Sequence, residues 1–226
     1  MAVQRGAVFG KLYPVKEARM YNPPAFRETD LPFIQDTMRA AKLANLVTVT
    51  AGGLTCTPLP LFLDDSQGEM GTLYGHVAKA NPQWKEAPMG DALAIFMGPD
   101  AYVTPSWYER KSLDGKVVPT WNYVAVHAYG PVEFFEDASR LLDVVTRLTD
   151  LHEASRLRPW AVDDAPPDFI QAQLRGIVGL RLPITRIEAK RKMSQNRTAE
   201  DRANVKEGLS RSMDARERQA ATLIPD

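Results

Sequence analysis

The sequence is poor in the residues that build disulfides and metal sites. It has one cysteine, Cys56, and three histidines among 226 residues. One cysteine cannot form an internal disulfide, and no Cys/His cluster has zinc-site spacing, so neither a disulfide nor a structural metal is expected. Such cysteine usage is typical of a reducing compartment, and we predict a cytoplasmic location.

The sequence also lacks net charge. Lys and Arg number 28, Asp and Glu also number 28, and no global field therefore attracts nucleic acid or anionic lipid. DNA binding would need a local basic patch. A content of 44% hydrophobic and 25% charged residues fits neither a disordered nor a membrane-embedded protein, so we expect no membrane partner.

The chain is predicted to divide at Met20. Residues 1–19 hold no apolar run long enough for a signal-peptide core, and we interpret them as a flexible extension or an over-called translation start. No repeat, low-complexity tract or linker divides residues 20–226. We predict that they form one domain with a C-terminal helix.

Hydrophobic periodicity predicts many short strands and a few helices. Strands joined by hairpins, with helices at the start, middle and end, indicate a mainly β or α+β fold, an antiparallel barrel decorated by helices. Pro58 and Pro60 place their strand at an edge or a bulge. The predicted helices cover residues 31–41, 137–156, 166–176 and 198–219, and the strands cover 43–50, 54–63, 70–78, 91–97, 102–104, 119–135 and 177–192.

Three smaller predictions follow from local pattern. The segment 98–100 (GPD) is predicted to be a tight turn between two strands. Cys56 lies in a β run and is expected to be buried and inert. His127 in a strand and His152 on a helix face are expected to have structural roles.

Three segments are candidates for ligand binding. His76, Lys79 and Asn81 lie where a strand runs into a helix start, which suits a phosphate, although pattern alone favours a structural histidine beside a solvated lysine. The aromatic segments 105–108 (PSWY) and 119–123 (PTWNY) suit a planar ligand, or else form core or a dimer interface. The polar segment 192–197 (KMSQNR) is either a ligand-facing loop or an ordinary turn.

Taken together, six motifs resemble the PaiB family of FMN-binding negative transcriptional regulators. The resemblance runs in order from Met20 to about Leu209, so it covers nearly all of the chain after residue 19. The motifs are residues 20–26 (MYNPPAF), 57–60 (TPLP), 75–82 (GHVAKANP), 98–108 (GPDAYVTPSWY), 118–123 (VPTWNY) and 192–197 (KMSQNR).

The resemblance implies a Greek-key-like FMN-binding split barrel, related to pyridoxamine-phosphate oxidases and flavin reductases. It also implies a homodimer with the flavin at the subunit interface. The residues that it assigns to flavin binding are Thr57, His76, Lys79, Asn81, Trp107, Trp121, Asn122, Ser194, Gln195 and Asn196. Of these, His76, Lys79 and Asn81 are expected near the phosphate or ribityl chain, Trp107, Trp121 and Asn122 near the isoalloxazine, and Ser194, Gln195 and Asn196 at the pocket rim.

One position departs from the family pattern. Pro58 stands where the family usually has a histidine, which removes an imidazole from a strand expected to line the ligand site.

Three functions are consistent with these sequence patterns and with the family resemblance. The first is a flavoprotein that uses FMN for redox chemistry on a small molecule or as a sensor. The second is a repressor in which the barrel is a dimerisation scaffold, although no helix-turn-helix is evident and the helix at 137–156 has mixed charge. The third is haem binding or degradation, with His76 or His127 as an axial ligand.

Overall fold

A computed structural model describes residues 20–226, so the interpretation of residues 1–19 lies outside the described residues. The strands are β1 (Arg27–Glu28), β2 (Ala44–Thr50), β3 (Gly53–Leu59), β4 (Leu61–Asp64), β5 (Thr72–Ala78), β6 (Ala92–Val103), β7 (Thr120–Gly130), β8 (Glu133–Phe135), β9 (Ile177–Pro183) and β10 (Arg186–Lys192). The α-helices are α1 (Leu31–Ala40), α2 (Arg110–Leu113), α3 (Ala138–Glu153), α4 (Pro167–Leu174), α5 (Ala199–Ser210) and α6 (Ala215–Thr222). Short 3-10 turns lie at Pro24–Phe26, Pro82–Trp84, Pro105–Trp107 and Val162–Asp164.

The strands form two antiparallel sheets. The large sheet has the order β1-β10-β7-β6-β2-β3, and the small sheet has the order β4-β5-β9-β8. Pairs that are distant in sequence, such as β7 with β10 and β5 with β9, join the two halves of the chain. The predicted fold class, an antiparallel barrel decorated by helices at the start, middle and end, is confirmed.

The main core lies between the two sheets. Leu46 and Phe96 of the large sheet meet Leu73 and Leu180 of the small sheet, and Met38 of α1 closes one end. Alternation along each strand sends these side chains inward and the intervening ones outward. The core therefore fixes which residues of each strand lie on an outer face.

Helix α3 covers the outer face of the small sheet. Its N-terminus is capped by Asp137, whose carboxylate accepts a hydrogen bond from the Arg140 backbone. Leu141 packs against Phe62 and Phe135 of the sheet. Helices α5 and α6 form a separate apolar cluster on the far ends of β6 and β7.

The outer face of the large sheet carries side chains that belong to none of the apolar clusters of residues 20–226. We call it the open face. Register places Val49 opposite Leu54, and Val47 opposite both Cys56 and Leu93. The open face is defined by Val47, Val49, Leu54, Cys56, Leu93, Ile95, Tyr102, Trp121, Tyr123 and Lys192.

The structure corrects several local predictions. The predicted turn at 98–100 is wrong, because β6 continues through it with a register shift between Met97 and Asp100. Cys56 is exposed rather than buried, because strand alternation places it on the open face. The segment 119–135 divides into β7 and β8, which lie in different sheets.

The strand and helix boundaries at the C-terminal end also differ. The predicted strand at 177–192 is two strands, β9 and β10, which again lie in different sheets. The predicted helix at 198–219 is broken into α5 and α6, and the carboxylate of Asp214 caps the second helix. The polar loop before β7 contains the short helix α2. The predicted strand at 54–63 is also two strands, because Pro60 separates β3 from β4, which lie in different sheets. Its predicted edge position is confirmed, since β3 ends the large sheet and β4 ends the small sheet.

Candidate functional site

Thr57 and Asn81 are brought together at the edge of the large sheet. The Asn81 amide donates to Thr57 Oγ1 at 3.0 Å, while its carbonyl oxygen accepts from the Gln83 backbone N–H at 2.9 Å. The Gln83 amide is buried and donates to Leu46 O and Thr48 Oγ1, which ties the turn to β2. The Asn81 side chain therefore organises the strand-to-turn junction, and the Thr57 hydroxyl remains a potential donor.

Lys79 lies at the same junction but on its exposed side. Its ammonium pairs with Glu136 at 2.6 Å, and both side chains are half exposed. The Trp84 indole N–H donates to the Lys79 carbonyl oxygen at 3.0 Å, so the backbone here is also fixed. A phosphate would have to share or displace the Glu136 carboxylate to bind this lysine.

His76 does not share a face with the barrel core. It alternates with Leu73 and Val77, so its side chain lies with Tyr74 on the face that α3 covers. Its Nδ1 is buried without a hydrogen-bond partner, and burial lowers the pKa of this imidazole. His76 is therefore neutral near pH 7 and does not by itself attract an anion.

Asn122 and Ser194 form a buried reciprocal pair. The Asn122 amide donates to Ser194 Oγ at 3.0 Å, and the Ser194 hydroxyl lies 3.2 Å from Asn122 Oδ1. Both residues are less than 5% exposed, and Ser194 has a φ of 63°. This pair holds the end of β10 to β7 from inside, so its polar atoms are already used.

Trp121 and Tyr102 lie opposite each other on the open face. Their ring centroids are 5.8 Å apart with an interplanar angle of 70°, and about half of the Trp121 side chain is exposed. Lys192 lies beside them, and its ammonium donates to Thr120 Oγ1 and to the Trp121 carbonyl oxygen. Burial, together with the nearby charges of Lys190 and Arg197, lowers the pKa of Lys192.

The remaining predicted residues, Gln195, Asn196 and Trp107, have other surroundings. Gln195 folds back onto its own strand end, where its side chain accepts from Met193 N and donates to Arg191 O. Asn196 is exposed. Trp107 packs against α5, where a Cβ on Gly208 would lie 2.3 Å from its ring. Trp107 therefore contributes to the α5 and α6 cluster rather than to an exposed surface.

The predicted residues thus form two groups at opposite ends of the large sheet. Thr57 is level with Leu46, Ala94 and Ala128 across the sheet, whereas Trp121 lies seven positions further along β7. At ~3.4 Å per residue this is a separation of roughly 24 Å along the strand direction alone. The two groups of a single chain are therefore well separated along the sheet.

Pro58 takes a defined place in this arrangement. It pairs with Asn45 in the β2–β3 register and alternates with Thr57, so its ring lies on the outer side of the large sheet. The histidine that the family usually carries here would add an imidazole to that side. This chain has none at the position, and His127 lies two strands away from β2 on β7.

At the aromatic end, Tyr102 was not singled out from the sequence, and Lys192 was included only as the first residue of the polar segment 192–197. Tyr102 and Lys192 approach Trp121 because β6, β7 and β10 are neighbours. The alternation of Trp121 with Tyr123 was the available signal for their outward direction. Only the pairing of β6 with β7 places Tyr102 opposite Trp121. The register of this pair also depends on the bulge between Met97 and Asp100 of β6, which residue spacing does not predict.

The two-sheet antiparallel barrel with external helices is the fold of the split-barrel proteins. The structure of a FAD and heme binding protein from Mycobacterium smegmatis matches with a TM-score of 0.52 and 16% identity, covering 74% of this chain and 73% of that one. The structure of a flavocytochrome from Azotobacter vinelandii matches with a TM-score of 0.53 and 18% identity, covering 79% and 75% of the two chains. These similarities establish the fold.

Sequence comparison then defines the family. Residues 20–186 match the family described as "Putative FMN-binding domain". Protease synthase and sporulation protein PAI 2 of Bacillus subtilis is 34% identical over 208 residues, which cover 92% of this chain and 97% of that protein. An uncharacterised protein of Aspergillus fumigatus is 33% identical, over 85% of this chain and 91% of its own. The chain belongs to this FMN-binding family, which confirms the resemblance and, with it, FMN as the cofactor.

Proposed function

We propose that this protein is a homodimeric flavoprotein that holds FMN between two copies, with the flavin ring on the open face of one copy and the phosphate end at the β3 edge of the other. The observation that carries the proposal is the exposed pair of Tyr102 and Trp121 beside the Lys192 ammonium. Aromatic faces suit the planar isoalloxazine, and a nearby cation suits the electron-rich edge of that ring or a phosphate oxygen. Bound FMN would supply redox chemistry, while the chain supplies binding and orientation.

The separation between the two residue groups supports a site that two copies share. Thr57, Lys79 and Asn81 of one copy could reach the ribityl chain or phosphate of a flavin whose ring lies on the aromatic pair of the other. In this arrangement Asn122 and Ser194 support the strand ends from beneath. His76 stays on the far side of the small sheet, so its position supports a structural role.

The apolar part of the open face supports dimerisation. Val49 and Leu54 are exposed and directly opposite each other, and Val47, Leu93 and Ile95 continue the apolar surface toward the sheet centre. A two-fold axis would place the same surface of both copies in contact. Burial of such a surface stabilises a dimer by roughly 25 cal/mol per Å² before association costs.

The cofactor site is tested by titrating FMN into purified protein and following flavin fluorescence and absorbance. We expect Trp121→Ala to weaken FMN binding by about 5- to 150-fold, because stacking on an aromatic ring contributes about 1–3 kcal/mol. Trp160→Ala is the matched control, since Trp160 is similarly exposed but lies outside the open face. Equal affinity of both variants and wild type would exclude Trp121 as the ring platform.

The dimer is tested by sedimentation velocity. We expect Val49→Lys/Leu54→Lys to give monomers, because a two-fold contact would bring like charges together. Leu151→Lys/Leu157→Lys on the α3 side is the control and should remain dimeric. A monomeric wild type, or a dimer unaffected by the open-face charges, contradicts the proposed interface.

The same preparation separates the alternative ligands and the regulatory role. A haem titration that produces a Soret shift sensitive to His127→Ala would favour the haem alternative over the flavin assignment. The transcriptional role remains a prediction from the resemblance. A mobility-shift assay at physiological salt checks it, and equal affinity for promoter and random DNA would count against it.

Within residues 20–226, every helix is too short or too polar to cross a bilayer.

A further inference from the structure

A cavity lies between α3 and the outer face of the small sheet. It has a volume of about 500 Å³ and is separated from the open face by the whole main core. Its walls combine three arginines with aromatic and polar groups. The lining residues that matter are Arg140, Arg147, Arg181, Tyr74, Phe135 and Asp143.

Two of the arginines are held in fixed positions by α3 and the sheet. Arg147 pairs with the buried Asp64 at 2.9 Å, and its guanidinium lies over the Phe62 ring. Arg140 pairs with Glu133 at 2.8 Å and lies over the Phe135 ring. Each guanidinium carries five N–H donors, of which the ion pair uses few, so both present further donors.

The third arginine, Arg181 of β9, is differently placed. Its Nε donates to the Tyr74 hydroxyl at 3.1 Å, and Tyr74 in turn donates to Gln67 Oε1 at 2.6 Å. Gln67 then donates to Asp64, which closes a chain of hydrogen bonds that ends at Arg147. Among residues 20–226, no carboxylate lies within ion-pair distance of Arg181, so a neutral hydroxyl is its partner in a half-buried site.

We propose that this cavity binds a small phosphorylated molecule, with the phosphate held by Arg181 and Arg147. Guanidinium groups approach from the sheet on one side and from α3 on the other, which suits a tetrahedral group with three acceptor oxygens better than a planar carboxylate. The cavity exceeds the size of a phosphate, and the largely buried Phe135 and Val144 form the apolar part of its lining. Asp143 also lines the cavity and opposes an anion there.

This site goes beyond the proposed FMN site. The aromatic pair lies on the outer side of the large sheet, whereas Arg181 lies on the outer side of the small sheet. A ligand at the arginines therefore leaves the open face and its flavin free. The cavity would give the flavoprotein a second ligand, either a substrate brought from another surface or an effector.

The test uses FMN-saturated protein and calorimetric titration with ribose 5-phosphate, inorganic phosphate and succinate at low ionic strength. We expect ribose 5-phosphate to bind more tightly than inorganic phosphate and succinate. Arg181→Gln should weaken its binding at least about tenfold, and Asp143→Asn should strengthen it. Arg211→Gln, just after the end of α5, is the matched control and should bind like wild type.

Folding of each variant is checked by its melting temperature. If Arg181→Gln does not fold, Arg181→Lys is tested instead. It keeps the positive charge but cannot form two parallel hydrogen bonds to the phosphate, so we expect its affinity for ribose 5-phosphate to lie between those of wild type and a variant without binding. Absence of ribose 5-phosphate binding at millimolar concentration, or equal binding by succinate, overturns the proposal. An equal loss of FMN affinity in the Arg181 variants would show that the cavity serves the flavin phosphate, which also overturns a separate site.

Discussion

The buried pair of Asn122 and Ser194 gives the sharpest separation between a structural and a cofactor-binding role. Each side chain is the other's hydrogen-bond partner, at 3.0 and 3.2 Å, and neither has exposed surface to offer a ligand. Asn122→Ala leaves the Ser194 hydroxyl buried and unpartnered. We expect a loss of about 1–3 kcal/mol in the free energy of unfolding, with FMN affinity nearly unchanged.

The predicted loss translates into a measurable melting shift. For a chain of this size 1 kcal/mol corresponds to roughly 2–4 °C, so Asn122→Ala should melt about 2–12 °C below wild type. A double-mutant cycle with Ser194→Ala isolates the pair. Because the double variant leaves no orphaned polar group, its destabilisation should be smaller than the sum of the two single losses by ~1 kcal/mol or more.

The backbone of Ser194 allows a second comparison within the same experiment. Its φ of 63° is costly for any residue with a Cβ but not for glycine. Ser194→Gly and Ser194→Ala both remove the hydroxyl, yet the glycine variant should be more stable by about 1 kcal/mol. Additive losses in the cycle, or a large FMN defect at full thermal stability, would refute the structural role of the pair.

Two further predictions concern the small sheet and its helix. Gly179→Ala would place a Cβ 2.3 Å from the Phe135 ring, so we expect a loss of about 1–3 kcal/mol in urea denaturation, whereas Gly90→Ala meets no atom within 4 Å and should be nearly neutral. An unchanged Gly179→Ala midpoint would show that Phe135 moves freely. Burial lowers the pKa of His76 below its unfolded value of 6.5, so the unfolded chain takes up the proton first and stability is lost as pH falls below about 6.5. Urea midpoints between pH 7.5 and 5.5 should therefore fall less for His76→Gln than for wild type, and parallel falls would contradict a buried neutral imidazole.

Sequence patterns located most elements but not their assembly. Pro32 in the first turn of α1 and Asp137 at the cap of α3 are local signals, and both helices begin where those signals predict. The division of the alternating segment 119–135 between two sheets depends on packing of distant strands, which local periodicity does not contain. Prolines that predict an edge strand succeeded because they act on the strand's own hydrogen bonds.

The candidate site shows the same limit at the level of single residues. The motif at 75–82 predicts a shared location for His76, Lys79 and Asn81. Strand alternation instead places His76 on the outer face of the small sheet, while Asn81 contacts β3. Strand alternation determines on which side of the sheet each side chain lies. The sequence alone does not indicate which side of the sheet faces the core and which side a helix covers. Arg147 and Arg181 are far apart in the chain, and only the contact of α3 with β9 brings them to one cavity.

The cluster behind the aromatic pair has a consequence for how the protein is made. Ala101 and Val103, which flank Tyr102 on the opposite side of β6, pack against Ala220, Ala221 and Ile224. The ribosome makes these partners long after it has released β6. The strand that carries Tyr102 is therefore supported by these contacts only late in synthesis. We expect FMN to bind after the barrel has folded and not to direct its folding. Overexpression in flavin-poor cells should consequently yield folded protein that still accepts the cofactor afterwards.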